Sequence, residues 1–272
     1  MLRSRAPRSS AGAGRRLVAE PAFLRRFRAR MPPPPLLGFL TDNCGELVFT
    51  PVHQPPGGHR TVRFSPPRRA GGDRWTLLGC RHGLALLANR SRSEAVVWDP
   101  AWPATGLQRS VPYPRELAHD GFYGLVCDGA VAFAAAGGGA VRGVDCRFSL
   151  VLVCANNDCT RASACLYESE PGTWGSVTST AITSMVRSVT PSSSVMVGNA
   201  FYWLLWPMVL VFDMDSQSLA ATQRPEACET GGDVTSFEIS RTQDGELGLA
   251  VLSKLRLRLW ARKVDSRGHH AW

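Results

Sequence analysis

From Leu36 to the C-terminus, short apolar runs alternate with clusters of Gly, Pro, Asn, Asp and Ser, without a convincing helical period. That pattern predicts many short strands joined by turns. One unit recurs: an apolar strand, a turn, and a second strand that ends in an aromatic residue followed by turn chemistry. The second strands are Glu46–Phe49, Ala95–Trp98, Ala164–Tyr167, Val209–Phe212 and Leu257–Trp260. Their terminal aromatics, Phe49, Trp98, Tyr167, Phe212 and Trp260, are 49, 69, 45 and 48 residues apart. Three of these intervals match the roughly 40–50-residue period of propeller blades. The long interval contains the Ala/Gly-rich stretch Gly129–Gly143, which reads as an inserted loop. The expected fold is therefore all-β, a β-propeller-like array of about five hairpin or blade units preceded by one short helix. Small twisted sheets packed around an axis bury faces that a lone hairpin cannot. An ordinary β-sandwich is the alternative.

The first 35 residues differ. Residues 1–14 read as a disordered basic arm, residues 15–31 as a short helix, and the four prolines at 32–35 as a stiff extended spacer. Pro21 suits a first helical turn, and Leu17, Phe23, Leu24 and Phe27 supply its apolar positions. Residues 36–272 form the repeat domain.

Charge sharpens this division. The net charge is +9, but nine arginines against Glu20 alone sit within residues 1–30, so the body is nearly neutral. A solvated arm is the expectation, and no nucleic-acid partner is expected. Residues 1–16, rich in Arg, Ser and Ala and without acids, also resemble an organelle transit peptide. Otherwise a cytoplasmic or nuclear location is expected. The longest apolar run, Phe201 to Phe212, is interrupted by Pro207 and is too short for a spanning helix of about 20 residues.

Candidate chemistry is sparse. Neither GxSxG, HExxH, P-loop nor a GxGxxG ahead of a helix is present. His82, before the strand Leu84–Leu87, reads as a turn histidine rather than a general base. Cys146, Cys154, Cys159 and Cys165 lack the paired spacing of a zinc site, and strand alternation turns two of them inward. Asp213 and Asp215 read as turn caps rather than calcium ligands. Trp75, Trp98, Trp174, Trp203 and Trp260 fall in or beside strands and are expected to fill gaps between sheets, whereas Trp102, Trp206 and Trp272 are candidate exposed anchors. No catalytic residue, cofactor or metal is expected, and the chain reads as a non-enzyme.

Several segments together resemble the plant F-box proteins of the grass type. Arg15–Phe27 resembles the last helix of the F-box. Pro35–Phe39, Leu78–Leu87, Val97–Pro100, Val197–Leu205 and Gly248–Leu252 resemble that family's C-terminal propeller-like region. The resemblance implies a non-catalytic subunit of a Skp–cullin–F-box ubiquitin ligase. Its F-box docks on a Skp-type adaptor, and its C-terminal region recruits the protein to be modified, raising effective concentration. Leu17, Phe23, Leu24 and Phe27 would be the adaptor-facing remnant. An F-box opening of the LPxxLLxxIL type is not found, and relatives continue through further strands, so a truncated F-box, weak adaptor docking and an incomplete ring are expected. A free-standing propeller scaffold is the second reading. A propeller glycosidase, which needs paired carboxylates facing the axis, is the third.

Overall fold

The computed structural model describes residues 38–43, 46–52, 62–64, 75–81, 84–89, 91–100, 108–119, 127–133, 147–156, 158–183, 194–205, 208–225, 234–253, 256–264 and 270–272. The N-terminal arm, helix and proline spacer of the sequence reading, with Leu17, Phe23, Leu24 and Phe27, lie outside these residues. So do His82, Cys146, Trp102 and Trp206.

Among the described residues the strands form five antiparallel sheets in chain order. The first holds β1 (Gly38–Asn43), β2 (Glu46–Pro51) and β3 (Val62–Phe64). The second holds β4 (Thr76–Arg81), β5 (Leu84–Asn89), β6 (Glu94–Trp98) and β7 (Gln108–Pro112). A helix, α1 (Arg115–His119), follows. The third sheet holds β8 (Cys127–Phe133), β9 (Phe148–Ala155) and β10 (Arg161–Glu168). Its outer edge is shared by β11 (Thr173–Trp174) and β12 (Thr178–Ala181), both paired with β10. The fourth holds β13 (Val195–Val197), β14 (Ala200–Leu205), β15 (Met208–Asp213) and β16 (Ser218–Gln223). The fifth holds β17 (Val234–Arg241), β18 (Leu247–Ser253), β19 (Arg256–Val264) and β20 (His270–Ala271). In four of the sheets each strand pairs with its neighbour in sequence, and the third departs from this only at its outer edge, where β12 pairs with β10.

Sequence alternation sets how the sheets stack. Successive strand residues point to opposite faces, and the middle strands are apolar on both. In β9, Leu150, Leu152 and Cys154 join Leu86, Ala88, Ala95 and Val97 of the second sheet in one core. The intervening Val151, Val153 and Ala155 join Phe201, Trp203, Leu210 and Phe212 of the fourth. The same division continues outward. Ala85, Leu87, Val96 and Trp98 pack with Leu47 of β2 and Trp75, and Leu204 and Val209 pack with Ile239, Leu249 and Val251 of the fifth sheet. A strand buried on both faces reads as a continuous apolar run, which is why Leu84–Ala88 and Phe148–Ala155 show so little polar alternation.

Two tryptophans fasten neighbouring sheets by the same device. Trp174 of β11 donates its indole N–H to the carbonyl of Pro112, the last residue of β7, at 2.8 Å. Trp272 donates to the carbonyl of Gln223, the last residue of β16, at 2.9 Å. Trp272 also packs into the core between the fourth and fifth sheets, so its expected role as an exposed anchor is corrected. Trp75, Trp98 and Trp203 are buried.

The reading of Gly129–Gly143 as an inserted loop also needs correction. Gly129–Phe133 belongs to β8, in continuous register with β9 from Gly129↔Leu152 to Phe133↔Phe148; residues 134–143 lie outside the described part. Small residues are required here because strands converge near the centre of the array. A Cβ built on Gly129 would stand 3.0 Å from Leu152 Cδ2, 3.1 Å from Leu86 Cδ2 and 3.1 Å from the Val151 carbonyl oxygen. α1 was not anticipated either. Five residues are too few for a helical period, and Leu117, fully buried in the core between the second and third sheets, holds the helix by packing rather than by propensity.

The cysteines separate. Cys154 and Cys165 lie in the core between the second and third sheets, and Cys159 in that between the third and fourth. Burial pushes the Cys165 thiol up to about 11, with Glu116 adding to the rise, and its S–H donates to the Gly175 carbonyl at 3.2 Å. Among the described residues no His/Cys/Asp/Glu cluster suited to a metal ion occurs, and no helix is long and apolar enough to cross a membrane.

Two turns give testable local energetics. β13 and β14 are joined by Gly198 and Asn199, with Val197↔Ala200 closing the ladder. Gly198 has φ +60°, the glycine-first pattern of a type II′ turn. No atom stands within 4 Å of where its Cβ would be, so Gly198→Ala isolates backbone strain. Thermal unfolding should show a loss of about 1–3 kcal/mol; no loss would mean the turn relaxes freely.

Asp213 closes the β15–β16 turn as the sequence suggests. Its Oδ1 accepts from the Ser216 N–H at 2.8 Å, the Ser216 hydroxyl at 2.9 Å and the Asp215 N–H at 3.1 Å. Asp215 instead accepts from Asn199 Nδ2 at 2.7 Å, tying this turn to the β13–β14 turn. The Ser216 hydrogen bonds, backbone first, hold the Asp213 carboxyl below its ordinary 3.8. A depressed folded value means that the stabilisation is complete above about pH 4 and is lost as pH falls through that lower value. Asp213→Ala should cost about 1 kcal/mol at neutral pH, and its deficit against wild type should shrink in acid. A deficit that grows in acid would refute the assignment.

Candidate functional site

The first strand of each of the last four sheets, β4, β8, β13 and β17, lies innermost, and β4 touches β8 while β13 touches β17. Residues of these strands and of β5 line an open cavity of about 330 Å³. Gly79, Cys80 and Arg81 come from β4, Leu84 and Leu86 from β5, and Gly129, Ala130 and Val131 from β8. Ser194, Val195 and Met196 come from the β13 segment, and Arg241 ends β17. The walls are thus aliphatic, and the charged groups are two guanidiniums.

Each arginine is placed by its surroundings. Arg81 leaves the second sheet and sets its guanidinium over the ring of Phe201 in the fourth, 5.7 Å from the centroid. Phe201 is fully buried, so the cation rests on a fixed aromatic face. Arg241 makes the last β17 pairing, with Leu247, and lies against the tight turn that returns the chain to β18. That turn is closed by Thr242 and Glu246, and Gly245 within it has φ +86°. The guanidinium of Arg241 occupies the space where a Gly245 side chain would be, its Nη2 3.2 Å from the ideal Cβ position.

The electrostatics follow from this geometry. Burial, and then the positive charge of Arg241, lower the Arg81 guanidinium below its ordinary value. No carboxylate lines the cavity among the described residues. Burial also pushes the Cys80 thiol up, with Asp99 adding to the effect. Cys80 presents an exposed surface, yet the crowded protein around its sulfur favours the neutral thiol. The cavity therefore offers positive charge, a neutral thiol and a hydroxyl between aliphatic walls.

Sequence reading overlooked both arginines. Arg81 sits inside the quoted segment Leu78–Leu87, where His82 drew attention instead, and Arg241 lies far along the chain in a polar turn. The signal that could have found them is positional: each ends the first strand of a repeat unit.

The successive antiparallel sheets of three to five strands stacked face to face, with first strands innermost in the last four, define a β-propeller. The family described as "F-box protein AT5G49610-like, beta-propeller" matches residues 76–272, and the chain belongs to that family. No curated protein matches the chain. Among solved structures, a streptogramin B lyase aligns with TM-score 0.38 and 11% identity over 85% of this chain and 67% of that one. Glutaminyl cyclase of Myxococcus xanthus aligns with TM-score 0.34 and 12% identity over 80% of this chain and 87% of that one. Hsv2 of Kluyvelomyces marxianus aligns with TM-score 0.30 and 12% identity over 84% and 72%.

Proposed function

We propose that this chain is a protein-interaction module, the substrate-recruiting part of an F-box subunit of a Skp–cullin–F-box ubiquitin ligase, and that its partner engages the face onto which the axial cavity opens. The observation that carries this reading is membership of an F-box propeller family combined with a cavity whose polar groups suit binding and not bond-breaking. Hydrolytic propeller chemistry calls for paired carboxylates, and a nucleophilic thiol calls for a lowered thiol pKa. Here the lining offers two arginines, and the Cys80 thiol is shifted upward. The chain thus acts by holding a partner and not by transforming it. Adaptor docking through Leu17, Phe23, Leu24 and Phe27 alone is weak, since four apolar side chains bury far less than the roughly 1,200 Å² of a stable interface.

The test pairs two measurements on the full chain. Titration with a purified Skp-type adaptor should show binding no tighter than micromolar. Proximity labelling in cells should enrich a partner that is lost from an Arg241→Gln variant. Nanomolar adaptor binding abolished by Phe23→Ala would overturn weak docking, and a partner set indifferent to Arg241 would overturn the placement of the binding face.

A further inference from the structure

Arg81 and Arg241 come from the second and fifth sheets, line one cavity, and repel one another there. Among the described residues, neither guanidinium has a carboxylate partner or a hydrogen-bond acceptor; Arg81 has only the quadrupole of the Phe201 ring. A cation pair with no counterion among the described residues raises the free energy of the empty cavity, and an anion placed between them reverses that sign. From this we infer that the axial cavity binds one oxyanion group, a carboxylate or a phosphoryl, carried on a side chain of the partner polypeptide. This inference rests on the preceding reading of the cavity face as the place where a protein engages.

Three features fix the chemistry. Guanidinium forks match the paired oxygens of a carboxylate or phosphoryl group, and two forks can share one group. The volume of about 330 Å³ admits a side chain and not a folded element. The aliphatic walls from Leu84, Leu86, Val131, Val195 and Met196 accept the methylenes or apolar neighbours of the acidic residue. The Ser194 hydroxyl can donate to a remaining oxygen, while the Cys80 thiol, kept neutral, does not compete as a second anion.

The experiment uses immobilised full-length chain and three degenerate heptapeptide pools, identical except for a central phosphoserine, glutamate or glutamine. Inorganic phosphate is scanned in parallel by thermal shift, at ionic strength matched with chloride. Wild type is expected to retain the phosphoserine or the glutamate pool at least about tenfold over glutamine, and the higher of the two names the source of the oxyanion. Arg241→Gln and Arg81→Gln should each remove that preference. Inorganic phosphate should raise the melting temperature of wild type and not of either variant. If Arg81→Gln unfolds because its Phe201 contact is lost, Arg241→Gln alone carries the test. Because it removes a repulsion, Arg241→Gln should melt no lower than wild type in low salt. Equal retention of the glutamine pool, unaffected by the substitutions, would overturn the oxyanion site and leave the protein-binding reading standing. An arginine-dependent phosphate shift with no peptide pool retained would overturn presentation on a polypeptide. Absence of both responses would overturn the site altogether.

Discussion

Trp98→Ala is expected to lower the unfolding free energy by about 3–5 kcal/mol, read as a fall in the urea midpoint. Trp98 ends β6 and is 1% exposed, packed with Leu47 of β2, Trp75, Ala85, Leu87 and Val96. Both walls of this core are hydrogen-bonded sheets: in the second, β6 is paired on either side through Ala85↔Trp98 and Trp98↔Gln108, and in the first, β2 is paired with β1 and β3. Neither wall can close on the void without giving up pairing, so the cavity term adds fully to the lost transfer free energy. The same experiment on Leu259→Glu gives the contrast. Leu259 is 71% exposed on the fifth sheet, and a change there should stay within about 0.5 kcal/mol. A Trp98→Ala loss below 1 kcal/mol would mean that the first and second sheets do not share a core.

The repeat was legible because aromatic size and turn chemistry are local signals. Trp98, Tyr167, Phe212 and Trp260 all lie in the third strand of their sheets, β6, β10, β15 and β19. Phe49 lies in a second strand, β2, so its interval matched the period without marking the equivalent position. Stacking in chain order was legible too, since apolar residues on both faces of β9 and β14 leave no face for water. The axial cavity was not. Its charges come from Arg81 and Arg241, whose proximity depends on which strand of each sheet lies innermost, and strand alternation is silent on that. The tail Ala261–Trp272 is polar, with Arg262, Lys263, Asp265, Arg267 and two histidines, yet β19 runs to Val264 and pairs there with β20. Pairing needs only backbone groups, and Trp272 supplies the apolar contact that the preceding residues lack.

Gly129→Val should destabilise the chain by about 1–3 kcal/mol through overpacking, and it should also abolish whatever ligand response the cavity gives. The argument starts from composition: a run rich in Gly and Ala carries little hydrophobic payload, which made it read as a loop. At the axis the same poverty of side chain is a requirement. Gly129 faces Leu152 across its own sheet and Leu86 from the sheet before it, both methyls about 3 Å from where a Cβ would sit. Leu152 is fully buried and Leu86 nearly so, so neither can swing into solvent. The third neighbour, the Val151 carbonyl, belongs to the backbone of β9, held in the ladder by its register with Ala130. Valine adds two further methyls to a Cβ that is already too close, and its stiff χ1 leaves little choice of where they go. Relief must come from separating the second and third sheets, and that movement shifts Arg81 on β4 relative to Val131 on β8, both of which line the cavity. Gly129→Ala, with the Cβ alone, should show a smaller loss of stability and a weakened response. Calorimetry on the two variants, beside phosphate titration of each, checks both halves. A valine variant as stable as wild type would show that the sheets are not in van der Waals contact at the axis.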